Sequence, residues 1–331
     1  MRIKTSIQAI GLRTAYDYID KDPKNRLPQV VSILEKFVPS GSAMDTQING
    51  VKAILSNPDN NWNRFVMSLW DDIDANVRRA IFENFVINAS LLEGDMHDQL
   101  EAEHGCNIPW LITLHIDSGA YPGQRVDYRR LLEQARTLGT HGCLLLTDGE
   151  PRELIDLAAA FPDCFFLLAC GGELVTAPLA EEAERVHNLV FAPYGEQAEE
   201  ACALLREKRF LYALSIRYGA AEAEDIACGE WYSWAENCHA PLTLLLPDRD
   251  CPPQAQERVY DSVLSQRRRQ AYRTIPWEAV RDGRLVDSVL SGASCTVTLD
   301  NRGFLEGTEE NAFALGFPAL LKRNFPRKTN G

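Results

Sequence analysis

The sequence predicts an α/β protein in which an all-helical leader precedes about six β/α units. Two observations carry that prediction. Apolar residues recur at helical spacing through the first hundred positions, and from Asn107 onward short, continuous apolar runs of strand length alternate with helical stretches. A third observation, alternating polarity from Cys295, marks a different C-terminal segment. Strands that are apolar throughout imply a parallel sheet covered on both faces.

In the leader, Ile7, Ile10, Leu12, Ala15, Tyr18 and Ile19 fall near helical spacing, Leu27 through Val38 makes a second helix, and Ile48 through Leu55 a third. Asp22-Pro23, Pro39-Ser40-Gly41 and Asn57-Pro58-Asp59 separate them. From Trp62 to Leu92 apolar residues recur at three and four, which predicts two more helices. The expected strands are Leu111 to Ile116, Cys143 to Leu146, Cys164 to Ala169, Asn188 to Ala192, Phe210 to Ile216 and Leu242 to Leu246. Helices are expected between and after them at Tyr128 to Leu138, Arg152 to Phe161, Leu179 to Val186, Glu196 to Lys208, Ile226 to Asn237 and Gln254 to Tyr272. Such units form either an open doubly wound sheet or a partly closed barrel, and periodicity alone does not separate the two. At the C-terminus, Asp300-Asn301-Arg302-Gly303 signals a turn that returns Phe304-Leu305-Glu306 against Cys295 to Leu299 as a hairpin. The tail beyond Phe317 is basic and is expected to be loosely held. The expected domains are 1–106 (helical), 107–290 (sheet or barrel) and 291–331 (hairpin and tail).

A chain of 331 residues with 45% hydrophobic and 24% charged residues can bury a sizeable core. Its formal net charge of -13, with compact basic clusters only at Arg267-Arg268-Arg269 and in the tail (Lys322, Arg323, Arg327, Lys328), argues against nucleic acid as a partner. The N-terminus has no signal-peptide core and no run approaches a bilayer span, so a cytoplasmic protein is expected. Its nine cysteines include no C-x2-C pair, and Cys143, Cys164 and Cys202 read as core residues, so no metal site is expected.

In such folds ligands sit at the C-terminal ends of strands. There the sequence places Thr147-Asp148-Gly149-Glu150-Pro151, Cys170-Gly171-Gly172-Glu173, Pro193-Tyr194-Gly195 and Arg217-Tyr218-Gly219. Asp148 and Glu150 read either as caps for the helix beginning at Arg152 or as ligand-binding carboxylates. His115, His141 and His239 are lone histidines without an identified partner. Trp231, Tyr232 and Trp234 read as core packing or as a contact surface, and the Arg267 to Arg269 run as a solvated helix face. There is no Gly-x-Ser-x-Gly elbow, Walker lysine or His-Glu-x-x-His.

Several of these segments together resemble a group of bacterial radical S-adenosylmethionine (SAM) proteins. They are the run from Trp62 through Asn84-Phe85-Val86-Ile87-Asn88-Ala89-Ser90 to Cys106-Asn107-Ile108-Pro109-Trp110, then Phe161-Pro162-Asp163-Cys164, Cys170 to Val175, Lys208-Arg209-Phe210 and Asp300 to Gly303. Thr147 to Pro151 resembles the family's Gly-Gly-Glu-Pro motif, which binds the amino group of SAM, with Asp148 in place of its first glycine. The resemblance implies a partial (β/α)6 TIM-like barrel and a SAM-type pocket made from Asp148, Gly149, Glu150, Pro151, Gly171, Gly172, Tyr194, Arg217 and His115. It departs from the family at the decisive loop. Where the family has three cysteines in C-x3-C-x2-C spacing for a four-iron cluster, this chain has His115 to Arg125 without a cysteine. An iron–sulfur cluster is therefore not expected and SAM remains a candidate ligand. The expected role is that of a non-catalytic binding or assembly subunit beside a radical SAM enzyme or other pathway protein. The alternative is a cluster-independent enzyme using the former SAM pocket.

Overall fold

The computed structural model describes residues 2–36, 43–91, 93–117, 119–290 and 295–327. The breaker Pro39-Ser40-Gly41, Leu92 at the end of the leader, Ser118 in the loop after the first strand and Lys328 of the basic tail lie outside the described residues. The chain forms two compact units, Met1–Ala75 and Asn76–Gly331.

The first unit is helical: α1 (Arg2–Ile19), α2 (Pro23–Glu35), α3 (Ala43–Ser56) and α4 (Asn61–Asp71). The Asn60 side chain accepts from the Trp62 N–H and so satisfies one of the free donors at the start of α4. Trp70 stacks on Tyr16 at 6.4 Å and donates its indole N–H to Asp20 at 2.9 Å, tying α4 to α1.

The second unit opens within α5 (Ala75–Ile81), from Asn76 on, and continues with a π-helix over Phe82–Leu91 and α6 (Glu93–His104). The π-helix explains two of the sequence motifs together. Asn84 donates to the carbonyls of Pro162 and Cys164 at 2.8 and 3.1 Å, and Asn88 donates to Asp163 O and to Asn84, so the asparagines clamp the turn formed by Phe161 to Cys164. Asn188 closes the same turn with bonds to the carbonyls of Ala158, Phe161 and Cys164.

The remaining chain alternates strands and helices. In order these are β1 (Leu111–Ile116), α7 (Tyr121–Thr137), β2 (Gly142–Thr147), α8 (Arg152–Ala159), β3 (Phe165–Gly171), α9 (Ala177–Ala183), β4 (Leu189–Tyr194), α10 (Ala198–Glu207) and β5 (Ala213–Tyr218). They continue with α11 (Glu222–Cys228), α12 (Glu230–Asn237), β6 (Leu242–Pro247), α13 (Pro253–Arg269), β7 (Ile275–Glu278), α14 (Ala279–Leu290), β8 (Val297–Leu299), α15 (Ala312–Leu315) and α16 (Phe317–Asn324). Strands β8-β1-β2-β3-β4 and β5-β6-β7 form two parallel sheets, bridged where Phe191 of β4 meets Tyr212. The order 8-1-2-3-4-5-6-7 is that of a barrel wall, and among the described residues no pairing joins β7 to β8. The fold is thus an α/β partial barrel with a seam between β7 and β8. In its interior Leu144, Leu244 and Leu246 pack against the small Ala169, Ala192 and Ala213, the large-against-small packing that fits side chains into a tapering wall.

Six expected strands become eight. β7 contains Pro276, which lacks an N–H for a ladder and is tolerated because β7 is the edge of its sheet. β8 is part of the expected hairpin: Leu299 bridges Leu305 antiparallel and Glu306 donates to Thr298 O at 2.9 Å, but β8 also pairs in parallel with β1. The expected helix Ile226 to Asn237 is two helices, broken at Gly229, whose φ of 93° suits glycine and whose missing Cβ leaves room for the Tyr272 ring. Among the described residues, which end at Arg327, the tail is not loosely held. Phe317, Leu320 and Leu321 of α16 are buried, Phe317 donates to Gln134 of α7, and the backbone of Phe325 accepts from Asn107 at 2.8 Å.

Entry into β1 uses two buried carboxylates. Pro109 interrupts the donors of Asn107 to Trp110, and the flanking N–H groups of Ile108 and Trp110 donate to Glu101 at 2.9 Å and Asp287 at 3.0 Å. Burial pushes the Asp287 carboxyl up to about 7, against the opposing hydrogen bonds from Trp110 and Cys295. A second buried network fixes β7 and α14. Arg267 is not part of a solvated face: it makes paired bonds of 2.9 and 2.5 Å to Asp282, beside Tyr218, which donates to buried Glu278 at 2.7 Å. Arg268 and Arg269 are exposed.

Candidate functional site

The C-terminal ends of β1, β2, β4, β5, β6 and β8 converge on a cavity of about 340 Å³. Its charged and polar walls are His115 and Asp117 after β1, Thr147 and Asp148 after β2, Tyr194, Arg217, Arg249, and Asp300, Asn301 and Glu306 after β8. Leu146, Leu246, Pro247 and Ile116 supply the apolar floor. The volume lies within the range of about 300–1,000 Å³ usual for small-molecule sites, and apolar walls with a few convergent polar groups are their usual lining.

A chain of contacts across four strand ends holds the basic side of the cavity. Tyr194 donates its hydroxyl to Thr147 O at 3.0 Å, the Arg217 guanidinium lies 5.8 Å from the centre of the Tyr194 ring, and Arg217 pairs with Asp248 at 3.0 Å. On the opposite side Arg249 faces Glu306 at 3.8 Å. Asp300 accepts from the N–H groups of Arg302 and Phe304 at 2.9 Å each. Burial raises its pKa, but these bonds and the Arg302 guanidinium outweigh burial and hold its carboxyl below the usual range. Loss of water around the His115 ring draws its pKa below the ordinary histidine value, outweighing the attraction of Glu306. The ring is therefore neutral at pH 7.

Of the residues expected from the sequence, His115, Asp148, Tyr194 and Arg217 line this cavity. Gly149, Glu150, Pro151, Gly171 and Gly172 do not. Glu150 is exposed, 3.8 Å from Arg152, and neither it nor Asp148 caps α8, whose N-terminus receives no side-chain hydrogen bond. Gly171 and Gly172 have a reason within the protein itself. A Cβ at Gly171 would strike the Glu173 carboxylate, and one at Gly172 would strike the backbone of Gln197 and Ala198 at the start of α10. The lining residues that sequence reasoning did not select are Asp117, Arg249, Thr298, Asp300, Asn301 and Glu306. Arg249 follows the end of β6 by two residues, so the strand-end rule contained the signal for it.

No protein-family model and no curated protein matches the chain. Among solved structures it is similar to the crystal structure of Streptococcus suis SuiB bound to S-adenosylmethionine, with 10% sequence identity, a TM-score of 0.49 and coverage of 68% of this chain and 68% of that chain. It is also similar to native anSMEcpe with bound AdoMet and Cp18Cys peptide, with 9% identity, a TM-score of 0.39 and coverage of 60% and 74%.

The other sequence candidates lie elsewhere. His141 contacts Asp163 O at 3.2 Å behind β2, and burial lowers its pKa. Tyr232 is buried, and Trp231 and Trp234 pack edge to face at 5.4 Å against the core, which accounts for that aromatic cluster. Cys143, Cys164 and Cys202 are core residues. Among the described residues no group of three or more His, Cys, Asp or Glu is placed to hold a metal ion, and no helix is long and apolar enough to cross a membrane.

Proposed function

We propose that this chain is a radical SAM-like barrel without the catalytic cluster, acting as a non-catalytic binding or assembly subunit for a radical SAM enzyme or another enzyme of a biosynthetic pathway. In this reading its strand-end cavity binds a SAM-type zwitterion. The observation that carries the reading is the cavity's mixed polarity: carboxylates at Asp117, Asp148, Asp300 and Glu306 and the guanidinium groups of Arg217 and Arg249 line one space, Arg249 beside Glu306 and Arg217 beside Asp248. A ligand with an ammonium or sulfonium centre and a carboxylate finds groups of both signs there. Asp148, the residue of the Thr147 to Pro151 motif with an acidic side chain in the cavity wall, would take the amino group, and Arg217, oriented by Asp248 and Tyr194, the carboxylate. The β1–α7 loop offers Asp117, Tyr121 and neighbouring residues as donors and no thiol, so a cluster bound in the family manner does not fit it. Anaerobic incubation of the purified protein with SAM and a low-potential reductant tests the non-catalytic role. Unchanged SAM is expected, and its turnover would overturn the assignment.

One observation favours a second reading, a cluster-independent enzyme. His115 is a base at the cavity wall whose pKa burial lowers, with the carboxylates of Glu306 and Asp300 near enough to act on it. Release of a modified ligand by the wild type and not by His115→Gln would select that reading over the first.

A further inference from the structure

The strand-end cavity has a second limb. A space of about 250 Å³ opens along the seam between β1 and β8 on one side and β6 and α14 on the other, and it shares His115, Leu246, Arg249, Thr298 and Glu306 with the charged mouth. Leu111, Leu144, Val280 and Val297 supply its apolar wall and Asp248, Gln256, Arg284 and Asp287 its polar one, with the Asp287 carboxyl engaged by the Trp110 N–H.

One feature is not explained by packing. Gly283 lies inside α14, where glycine weakens a helix, yet its φ is not positive and a Cβ there would meet nothing within 4 Å. Neither strain nor crowding accounts for this glycine. Its effect is to keep the wall of the limb open.

We infer that the seam limb is a subsite for the largely apolar half of an elongated small molecule whose charged head lies at the mouth. The inference goes beyond the proposal that the mouth binds a SAM-type zwitterion and stands without it.

The test is a fluorescence titration of the full chain with 1-anilinonaphthalene-8-sulfonate, which joins an anionic group to an apolar body. Saturable binding of one probe per chain is expected. Gly283→Leu, which fills the limb, is expected to weaken binding by at least about tenfold, and Gly283→Ala to leave it within about twofold. Circular dichroism of each variant establishes that it is folded. If Gly283→Leu does not fold, Val280→Phe narrows the same wall and is read in its place. Absence of saturable binding to the wild type, or unchanged binding to a folded variant with the limb filled, would overturn the subsite. A protein that binds the probe but not SAM retains the subsite and loses the SAM reading, so the two fail separately.

Discussion

Asp287 gives this protein a pH dependence opposite to that of most carboxylates. Its side chain is 2% exposed, and burial together with repulsion from Glu101 holds its pKa at about 7, despite hydrogen bonds from Trp110 and Cys295. In the unfolded chain the value returns to about 3.9. Between those two values the folded state binds more protons than the unfolded one, so stability falls as pH rises through the window and is flat above it. At about 1.4 kcal/mol per unit, and with Asp287 half ionised by pH 7, the change between pH 5 and pH 7 is about 2 kcal/mol. For a unit of this size that corresponds to a shift in Tm of roughly 5–8 °C. Asp287→Asn keeps an acceptor for the Trp110 N–H and removes the titration. Thermal melts of both proteins from pH 5 to pH 8 should show the wild type gaining about 2.5 kcal/mol on the variant as pH falls. A difference between the two proteins that stays constant across the range would refute the argument.

Other substitutions test other parts of the account. Arg267→Ala leaves the Asp282 carboxylate buried without its bidentate partner and should cost about 3–5 kcal/mol in urea unfolding. Gly172→Ala forces a methyl group into the backbone of Gln197 and Ala198 and should cost more than about 2 kcal/mol, whereas Gly283→Ala should stabilise by up to about 1 kcal/mol. Asp148→Asn should weaken binding of a SAM-type ligand by about tenfold, and Glu150→Gln, at an exposed position outside the cavity, should leave it unchanged in the same titration.

Much of the second unit was readable because its strands are buried on both faces and therefore continuous in apolar character. β1 spans Leu111–Ile116 as expected, and the next five strands lie within a few residues of their expected positions. What escaped was structure created by context. β7 was hidden by Pro276, acceptable only at a sheet edge. The start of α7 was hidden by Pro122 and Gly123, although proline fits the first turn of a helix, where its N–H is not needed. α16 was hidden by its basic residues, which point outward while Phe317, Leu320 and Leu321 enter the core. The site shows the same division. His115, Asp148, Tyr194 and Arg217 follow directly from strand ends, while Asp300 and Glu306 reach the cavity only because β8 pairs beside β1, a long-range parallel contact that no local pattern encodes. The glycines of Gly171-Gly172 looked like room for a ligand and instead make room for a carboxylate and a helix backbone.

Calorimetric titration of SAM and S-adenosylhomocysteine into anaerobically purified protein, with iron quantified on the same sample, tests the central claim most directly. The account predicts saturable binding in the absence of iron, weakened by Asp148→Asn. Stoichiometric iron, or no binding of either ligand, would contradict it.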